Sequence, residues 1–256
     1  MSDATQRPAF VVASTLGLTM EEQPHEGVGV ITARASNAAS LVDDAGNFRV
    51  GALLAFADSV AGLAASLAAL PDKWCVTTNQ HLRMFRTHGP LPVHARTTVW
   101  RAGRTSVVSG AELHDNDGNL VASVMQTNAA LVPEFGIPVR DRPWRLHAEP
   151  GVPLHEVLAL TTIPHGVQLE VRDQLRNPWG ILHGGVTGYL ADRAARTLQI
   201  GMPHDTVLHF LRPGRVGPVT ATATALGTHR TGQVVRVEIR DEGADRVMAV
   251  ATMTTG

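Results

Sequence analysis

Asn177-Pro178-Trp179-Gly180-Ile181-Leu182-His183-Gly184-Gly185 runs into an apolar stretch that carries a carboxylate, Asp192. Residues of these types at this spacing suit chemistry on a carbonyl. A His-Gly-Gly turn that opens a helix leaves backbone N–H groups unpaired and puts a partial positive charge beside them. Such an end can hold a developing oxyanion. A carboxylate inside an apolar helix is costly to bury unless it has a partner or a task.

The pattern occurs twice. Asp43-Asp44-Ala45-Gly46-Asn47-Phe48-Arg49-Val50-Gly51 leads into Ala52-Leu53-Leu54-Ala55-Phe56-Ala57-Asp58. Gly46 and Gly180, Gly51 and Gly185, and Asp58 and Asp192 all stand 134 residues apart, with no gap between them. Asp43 replaces Asn177, Arg49 replaces His183 and Val50 replaces Gly184. This is the mark of a duplicated unit whose first copy lost the His-Gly-Gly turn and kept the helix Asp. His183 and Asp192 are nine residues apart, which is roughly 13 Å along a helix. Groups that act on one carbonyl must lie about 3 Å from the reacting atoms. One copy alone therefore does not bring both to one carbonyl. An antiparallel helix from the other copy does, with Asp58 facing the His183 turn.

The elements that must position these residues repeat in one order. A strand precedes each motif, over 27–35 and 166–171. Helices follow, over 51–70 and 184–200, rich in Ala and Leu and nearly free of charge on most faces, which predicts burial. Pro71 and Pro203 lie at or beyond their ends. Alternating strands come next: 76–85, 91–102, 105–114 and 120–131 in the first unit, and 206–211, 219–226, 233–241 and 247–254 in the second. Asp115-Asn116-Asp117-Gly118-Asn119 and Asp241-Glu242-Gly243-Ala244-Asp245 are matching hairpin turns. The units span 10–132 and 152–256, and the Pro-rich stretch 133–151 reads as a linker. One buried helix with an antiparallel sheet curled around it, twice, is an α+β arrangement.

Composition narrows the function classes. The chain has 256 residues, 44% of them hydrophobic, and a net charge of −1. That balance gives no reason to expect nucleic acid or an anionic membrane as partner. Cys75 is the single cysteine, so no intrachain disulfide forms and a reducing compartment fits. Met1 to Gln6 shows no basic start with an apolar run, so no signal peptide is expected. The longest apolar stretches, interrupted by Asp58 and Asp192, read as too short for a bilayer. A soluble cytoplasmic protein is expected. Twelve histidines occur without His-x-His or Cys-x-x-Cys, so no metal is expected. There is no P-loop and no Gly-x-Gly-x-x-Gly, and Cys75 reads as a buried strand thiol.

Asn177, then His183-Gly184-Gly185, then Asp192 resembles the PaaI-type acyl-CoA thioesterase family in its double-hotdog form. The likeness is specific over 177–192, weaker over 43–58, and covers nearly the whole chain in element order. It implies two long buried helices, each wrapped by a curved antiparallel sheet, with sites between the paired units. It also implies a homo-oligomer, and an acyl-CoA as substrate rather than a cofactor. Family members place a Ser or Thr about 18 residues after the Asp, at the start of the next strand. Thr77 and Thr78 stand at about that distance in the first unit; in the second the strand begins sooner, with Pro203 and His204 at its start and Thr206 displaced. One site, with Asn177, His183 and Gly184 facing Asp58 and Thr77, is complete. The other, with Asp43, Arg49 and Val50 facing Asp192, is not.

By the same resemblance the thioester carbonyl accepts from the Gly184 N–H and the Asn177 amide. Asp58 acts as general base or as nucleophile. Thr77 orients the water or the carboxylate, and His183 shapes the turn and orients Asn177. Gly185 and Thr78 border the substrate, and Arg104 and Arg230, at equivalent hairpin ends, are placed to hold coenzyme A phosphates. A hotdog hydratase or dehydratase is the alternative enzyme, although no Asp-x-x-x-x-His dyad stands in the usual hydratase setting. A non-catalytic acyl-CoA-binding protein is the other alternative.

Overall fold

An apolar helix with no polar face has to be enclosed. The computed structural model describes residues 11–23, 29–69, 72–134, 145–230 and 232–256. It shows how the enclosure is built. In chain order the first half holds α1 (Val11–Leu16), β1 (Leu18–Glu22), β2 (Ile31–Ala35), α2 (Ala38–Leu41), α3 (Val50–Ala69), β3 (Trp74–Met84), β4 (Val93–Ala102), β5 (Ser106–His114) and β6 (Leu120–Leu131). Then follow β7 (Arg145–His147), α4 (Leu154–Leu158), β8 (Thr161–Ile163), β9 (Gly166–Leu169), a 3-10 turn (Asp173–Leu175), α5 (Gly184–Arg196), β10 (Pro203–Phe210), β11 (Val219–His229), β12 (Gly232–Asp241) and β13 (Arg246–Thr255). Fifteen of the 20 residues of α3 are buried, among them Leu53, Leu54 and Phe56. Each such side chain contributes about 1.5–3 kcal/mol on burial.

Among the described residues the strands join one antiparallel sheet of 13, in the order β7-β1-β2-β4-β5-β6-β3-β10-β13-β12-β11-β9-β8. Read outward from its centre, β3, β6, β5, β4 and β2 on one side mirror β10, β13, β12, β11 and β9 on the other. The halves meet edge to edge, with Asp205 opposite Arg83 and His209 opposite Asn79. That pairing consumes two strand edges that would otherwise be exposed to other chains. The fold is α+β, with long helices wrapped by a large antiparallel sheet, as a double hotdog requires.

Several expectations need correction. The sequence pattern missed α1, β1, β7 and β8, which are short and bounded by few turn signals. The stretch read as linker contains β7, which pairs with β1 through Met20 and Leu146. Asn37 Nδ2 donates to the carbonyls of Thr15, at 2.8 Å, and Gly151, at 3.1 Å, tying α1 and the end of the linker to α2. Residues 27 and 28 of the first expected strand, and Leu70 and Pro71 at the end of the first helix, lie outside the described residues. Helix α5 stops at Arg196 rather than at residue 200. The N–H groups of Thr197, Leu198 and Gln199 turn to carbonyls three residues back, and Gln199 has φ of 54°. The reading of the apolar stretches as too short for a bilayer fails for α3. Its 20 residues match the roughly 20 that a bilayer requires. Its most apolar window is 83% buried inside the molecule, so it is a core helix.

The two long helices cross antiparallel at van der Waals distance. A Cβ at Gly51 would lie 2.9 Å from the Tyr189 Cα, one at Gly185 2.6 Å from the Ala55 Cα, and one at Gly188 3.0 Å from the Leu54 Cβ. As α3 advances from residue 51 to 55, its partner on α5 recedes from 189 to 185. Backbone atoms cannot yield as a side chain can. Gly51→Ala is therefore expected to cost about 1–3 kcal/mol, seen as a Tm lowered by roughly 2–10 °C; an unchanged Tm would contradict the crossing.

Candidate active site

Antiparallel crossing sets the start of each helix against the Asp of the other. At the start of α5, a Cβ on Gly184 would fall 2.8 and 2.9 Å from the two Asp58 carboxylate oxygens. Only glycine allows this approach. His183 is the N-cap of α5, and its Nδ1 accepts the Gly185 N–H at 3.0 Å. Gly184 N–H has no acceptor among the described residues. It is an unspent donor at the positive end of a helix.

Asp58 is 7% exposed. Its Oδ1 accepts from Thr77 Oγ1 at 2.8 Å. Its Oδ2 lies 3.4 Å from His183 Nδ1. That contact would be an ion pair only with a protonated imidazole. Nδ1 already accepts from Gly185, so the ring is neutral with its proton on Nε2, and Oδ2 keeps its lone pairs. Burial holds the His183 pKa below its ordinary value, and the charge of Asp58 opposes this in part.

Thr77 reaches Asp58 because β3 carries a bulge. Thr77 pairs with Asn128 and Asn79 with Thr127, leaving Thr78 as the extra residue. Strand parity shifts by one there, so Cys75 and Thr77 face inward together with Gln80, Leu82 and Met84. Beneath Thr77, Asn128 Oδ1 lies 3.2 Å from the hydroxyl and accepts from Gln126 Nε2 at 3.0 Å. Asn128 Nδ2 donates to Ser109 Oγ at 3.1 Å, which donates to the Ala61 carbonyl at 2.9 Å. This chain of buried polar groups holds the Asp58–Thr77 pair against α3. Sequence reasoning missed Asn128, Gln126 and Ser109. The signal was present, since Val124, Gln126, Asn128 and Ala130 alternate onto one buried face of β6.

Asn177 is placed by its own loop. Its Oδ1 accepts from the N–H groups of Trp179, at 2.9 Å, and Ile181, at 3.4 Å. Its Nδ2 makes no hydrogen bond among the described residues, and Asn177 lines a cavity together with Asp58, Thr77, His183 and Gly184. The cavity measures about 160 Å³. Against the expectation that His183 orients Asn177, no hydrogen bond joins the two among the described residues, and His183 Nδ1 goes to Gly185.

Other expected residues lie elsewhere. Thr78 donates to the Thr127 carbonyl at 3.0 Å and does not line the cavity. Gly185 packs on Ala55. Arg104 and Arg230 stand on exposed hairpin ends outside the cavity wall. Burial pushes the Cys75 thiol up to about 12, with the neighbouring Ser66 side chain opposing this in part, so it is no nucleophile at neutral pH. Among the described residues no group of three or more His, Cys, Asp or Glu is placed to hold a metal ion.

The start of α3 looks different. Asp43 Oδ1 accepts from Ala45 and Asn47 at 3.0 and 2.9 Å, repeating the Asn177 turn. A carboxylate there has no amide to donate. Arg49 Nε donates to the Val42 carbonyl at 2.9 Å, and Val50 is fully buried. The β10 bulge follows Pro203, which therefore occupies the place of Thr77 and has no hydroxyl. Asp192, 1% exposed, accepts from the Gly51 N–H at 3.1 Å and from Arg196 Nε at 3.0 Å.

Comparison with known proteins follows this geometry. Residues 6–130 match the family description "Acyl-CoA thioesterase C-terminal domain", and residues 175–256 match "Acyl-CoA thioesterase N-terminal domain". A 1,4-dihydroxy-2-naphthoyl-CoA hydrolase of Listeria monocytogenes is 34% identical over 99 residues, 34% of this chain and 77% of the relative. The chain belongs to the hotdog thioesterase family. It is a thioester hydrolase. Solved structures share the fold across both halves. The 12:0-ACP thioesterase of Umbellularia californica aligns with a TM-score of 0.62 at 12% identity, covering 88% of this chain and 93% of that one. An acyl-ACP thioesterase of Bacteroides thetaiotaomicron aligns at 0.59 and 13%, covering 88% and 97%.

The neutral His183 of this thioesterase has a consequence for stability. Its folded pKa is depressed, so below the ordinary value of about 6.5 the unfolded chain binds the extra proton. Stability from this group is present above that pH and lost as pH falls through it. His183→Asn keeps a capping acceptor and removes the titration. Urea midpoints between pH 7 and 5 are expected to fall less steeply in the variant; parallel slopes would contradict a buried neutral imidazole.

Proposed function

We propose that this thioesterase hydrolyses acyl-CoA thioesters at one site per chain, built from Asp58 and Thr77 of one half and Asn177, His183 and Gly184 of the other. The observation that carries the proposal is the unspent Gly184 N–H beside the free Oδ2 of Asp58. The Asn-x5-His-Gly-Gly-x6-Asp spacing supports a PaaI-type grouping within the family.

The reaction follows from the donors and acceptors left over. The thioester carbonyl oxygen takes the Gly184 N–H and the Asn177 Nδ2–H, and both bonds strengthen as charge develops on it. Thr77 gives its single proton to Asp58 Oδ1, the nearer of its two acceptors. A lone pair then remains on Thr77 Oγ1 and on Asp58 Oδ2. Two acceptors side by side hold a water by both protons, with its oxygen turned toward the carbonyl carbon. Asp58 takes one proton as the C–O bond forms. The tetrahedral intermediate expels the coenzyme A thiolate, which recovers the proton, and the free acid leaves.

At the other helix start each Asp192 oxygen already holds a donor. The Gly51 N–H and both Asp192 oxygens are bonded to each other and to Arg196, so we read Asp192 as a fastening between the helices. Asp58→Asn is therefore expected to abolish acyl-CoA hydrolysis with the fold intact, and Asn177→Ala to lower turnover on the order of 10²-fold. Asp192→Asn is expected to retain turnover and lose about 1–3 kcal/mol of stability. Thiol-release assays paired with denaturation curves check this; inactivation by Asp192→Asn with a working Asp58→Asn would reverse the assignment.

A further inference from the structure

Gly62 is the glycine of α3 that the packing does not explain. It lies in the helix interior, where glycine is less stable than alanine because it loses more freedom on folding. Gly51, Gly185 and Gly188 are each required by backbone or side-chain atoms within 3.0 Å of an added Cβ. A Cβ at Gly62 would meet nothing closer than Gln126 Nε2 at 3.6 Å, with Thr77 Oγ1 next at 4.0 Å. The fold has room for a methyl group there, yet the sequence leaves it out.

What lies at that spot is the cavity. Asp58, Gly62 and Ser66 are four residues apart on one face of α3, and all three line it. Four residues advance about 6 Å, so Gly62 borders whatever extends one helical turn from the reacting carbonyl. Beyond it the wall is Leu63, Trp74, Cys75 and Val76. Ser66 offers no donor there, because its hydroxyl donates to the Gly62 carbonyl at 3.0 Å and accepts the Cys75 N–H at 3.2 Å. Among the described residues no Lys or Arg lines the cavity. Such a wall suits the apolar acyl group and offers nothing to the amides and phosphates of coenzyme A. A cavity of about 160 Å³ is close to an apolar cavity of about 150 Å³ known to hold benzene, so it admits roughly six carbon atoms.

We infer that Gly62 is a specificity-determining residue: its missing side chain is the passage by which an acyl group of about six carbons leaves the catalytic carboxylate and enters the apolar end of the cavity. This rests on the acyl-CoA reading of the Asp58 site. It accounts for the glycine as a stability sacrifice made for substrate size.

The test compares wild type, Gly62→Ala, Gly62→Val and Asp58→Asn on acetyl-CoA and hexanoyl-CoA, with Tm measured for each. In Gly62→Ala the ratio of kcat/KM for hexanoyl over acetyl is expected to fall about tenfold, the effect of one methylene in a fitted pocket. It falls further in Gly62→Val. Tm of Gly62→Ala is expected to rise by about 2 °C, as a glycine removed from a helix interior predicts. An unchanged ratio in both variants overturns the inference. So does an equal fall for both thioesters with weaker inhibition by free coenzyme A, which would put Gly62 beside the pantetheine. A Tm lowered in Gly62→Ala overturns the claim of spare room. Full activity in Asp58→Asn would instead sink the reading of the site itself, whereas an inactive Asp58→Asn with an unchanged ratio sinks only the role of Gly62.

Discussion

The molecule depends on two apolar helices crossing antiparallel with almost nothing between them. Gly51 and Gly185 let α3 and α5 approach until Cα atoms of one nearly touch where a Cβ of the other would be. The approach sets each helix start against the carboxylate on its neighbour, Gly51 bonded to Asp192 and Gly184 packed on Asp58. A helix start is short of acceptors and a buried carboxylate is short of donors, and at α3 the crossing answers both needs together. It also spares each helix from having to span roughly 13 Å between its own start and its own Asp. The sheet closes this pair off from water. Its central joint between β3 and β10 keeps the two halves in register.

The two helix starts show how one geometry serves two ends. At α3 the Asp192 carboxylate bonds directly to the Gly51 N–H and to Arg196, one donor on each oxygen. At α5 an imidazole intervenes. His183 takes the Gly185 N–H, the counterpart of the Gly51 N–H, and so leaves Asp58 Oδ2 without a donor. Val50 and Pro203 then remove the space and the hydroxyl that Gly184 and Thr77 supply on the other side. Few substitutions separate a helix fastening from a site fitted for hydrolysis. A buried carboxylate left partly unsatisfied is expensive, and Thr77, Asn128 and Ser109 offset part of that cost by bonding its other oxygen and bracing the donor.

Much of this was legible because it depends on spacing. The constant interval between Gly51 and Gly185 and between Asp58 and Asp192 gave the duplication, and helix length required the cross-pairing. Strand β6 was read to its exact bounds because it follows a strong turn at Asp115–Asn119 and alternates from Ala122 onward, whereas β1, β7 and β8 are short segments at the ends of the sheet. The bulge at Thr78 was hidden in plain view: inward residues change from odd to even numbers between Thr77 and Gln80, which no unbroken strand allows. The assignment of Thr78 to the substrate came from missing that change. His183 was expected to orient Asn177; a ring nitrogen two residues from a helix N–H caps it instead, a local bond that outranks a more distant one. Arg104 and Arg230 were placed by resemblance and by their matching hairpin ends, and both stand exposed outside the cavity wall.

The central claim is that the carbonyl of the substrate sits between the Gly184 N–H and the Asp58 carboxylate, with each half supplying one side. A crystal structure with an acyl-CoA ketone analogue, in which a methylene replaces the thioester sulfur, tests this most directly. The account predicts one analogue per chain, with its ketone oxygen within about 3 Å of the Gly184 nitrogen and its carbonyl carbon facing Asp58 Oδ2. An analogue seated against Val50 and Asp192, or one whose carbonyl avoids both helix starts, would contradict it.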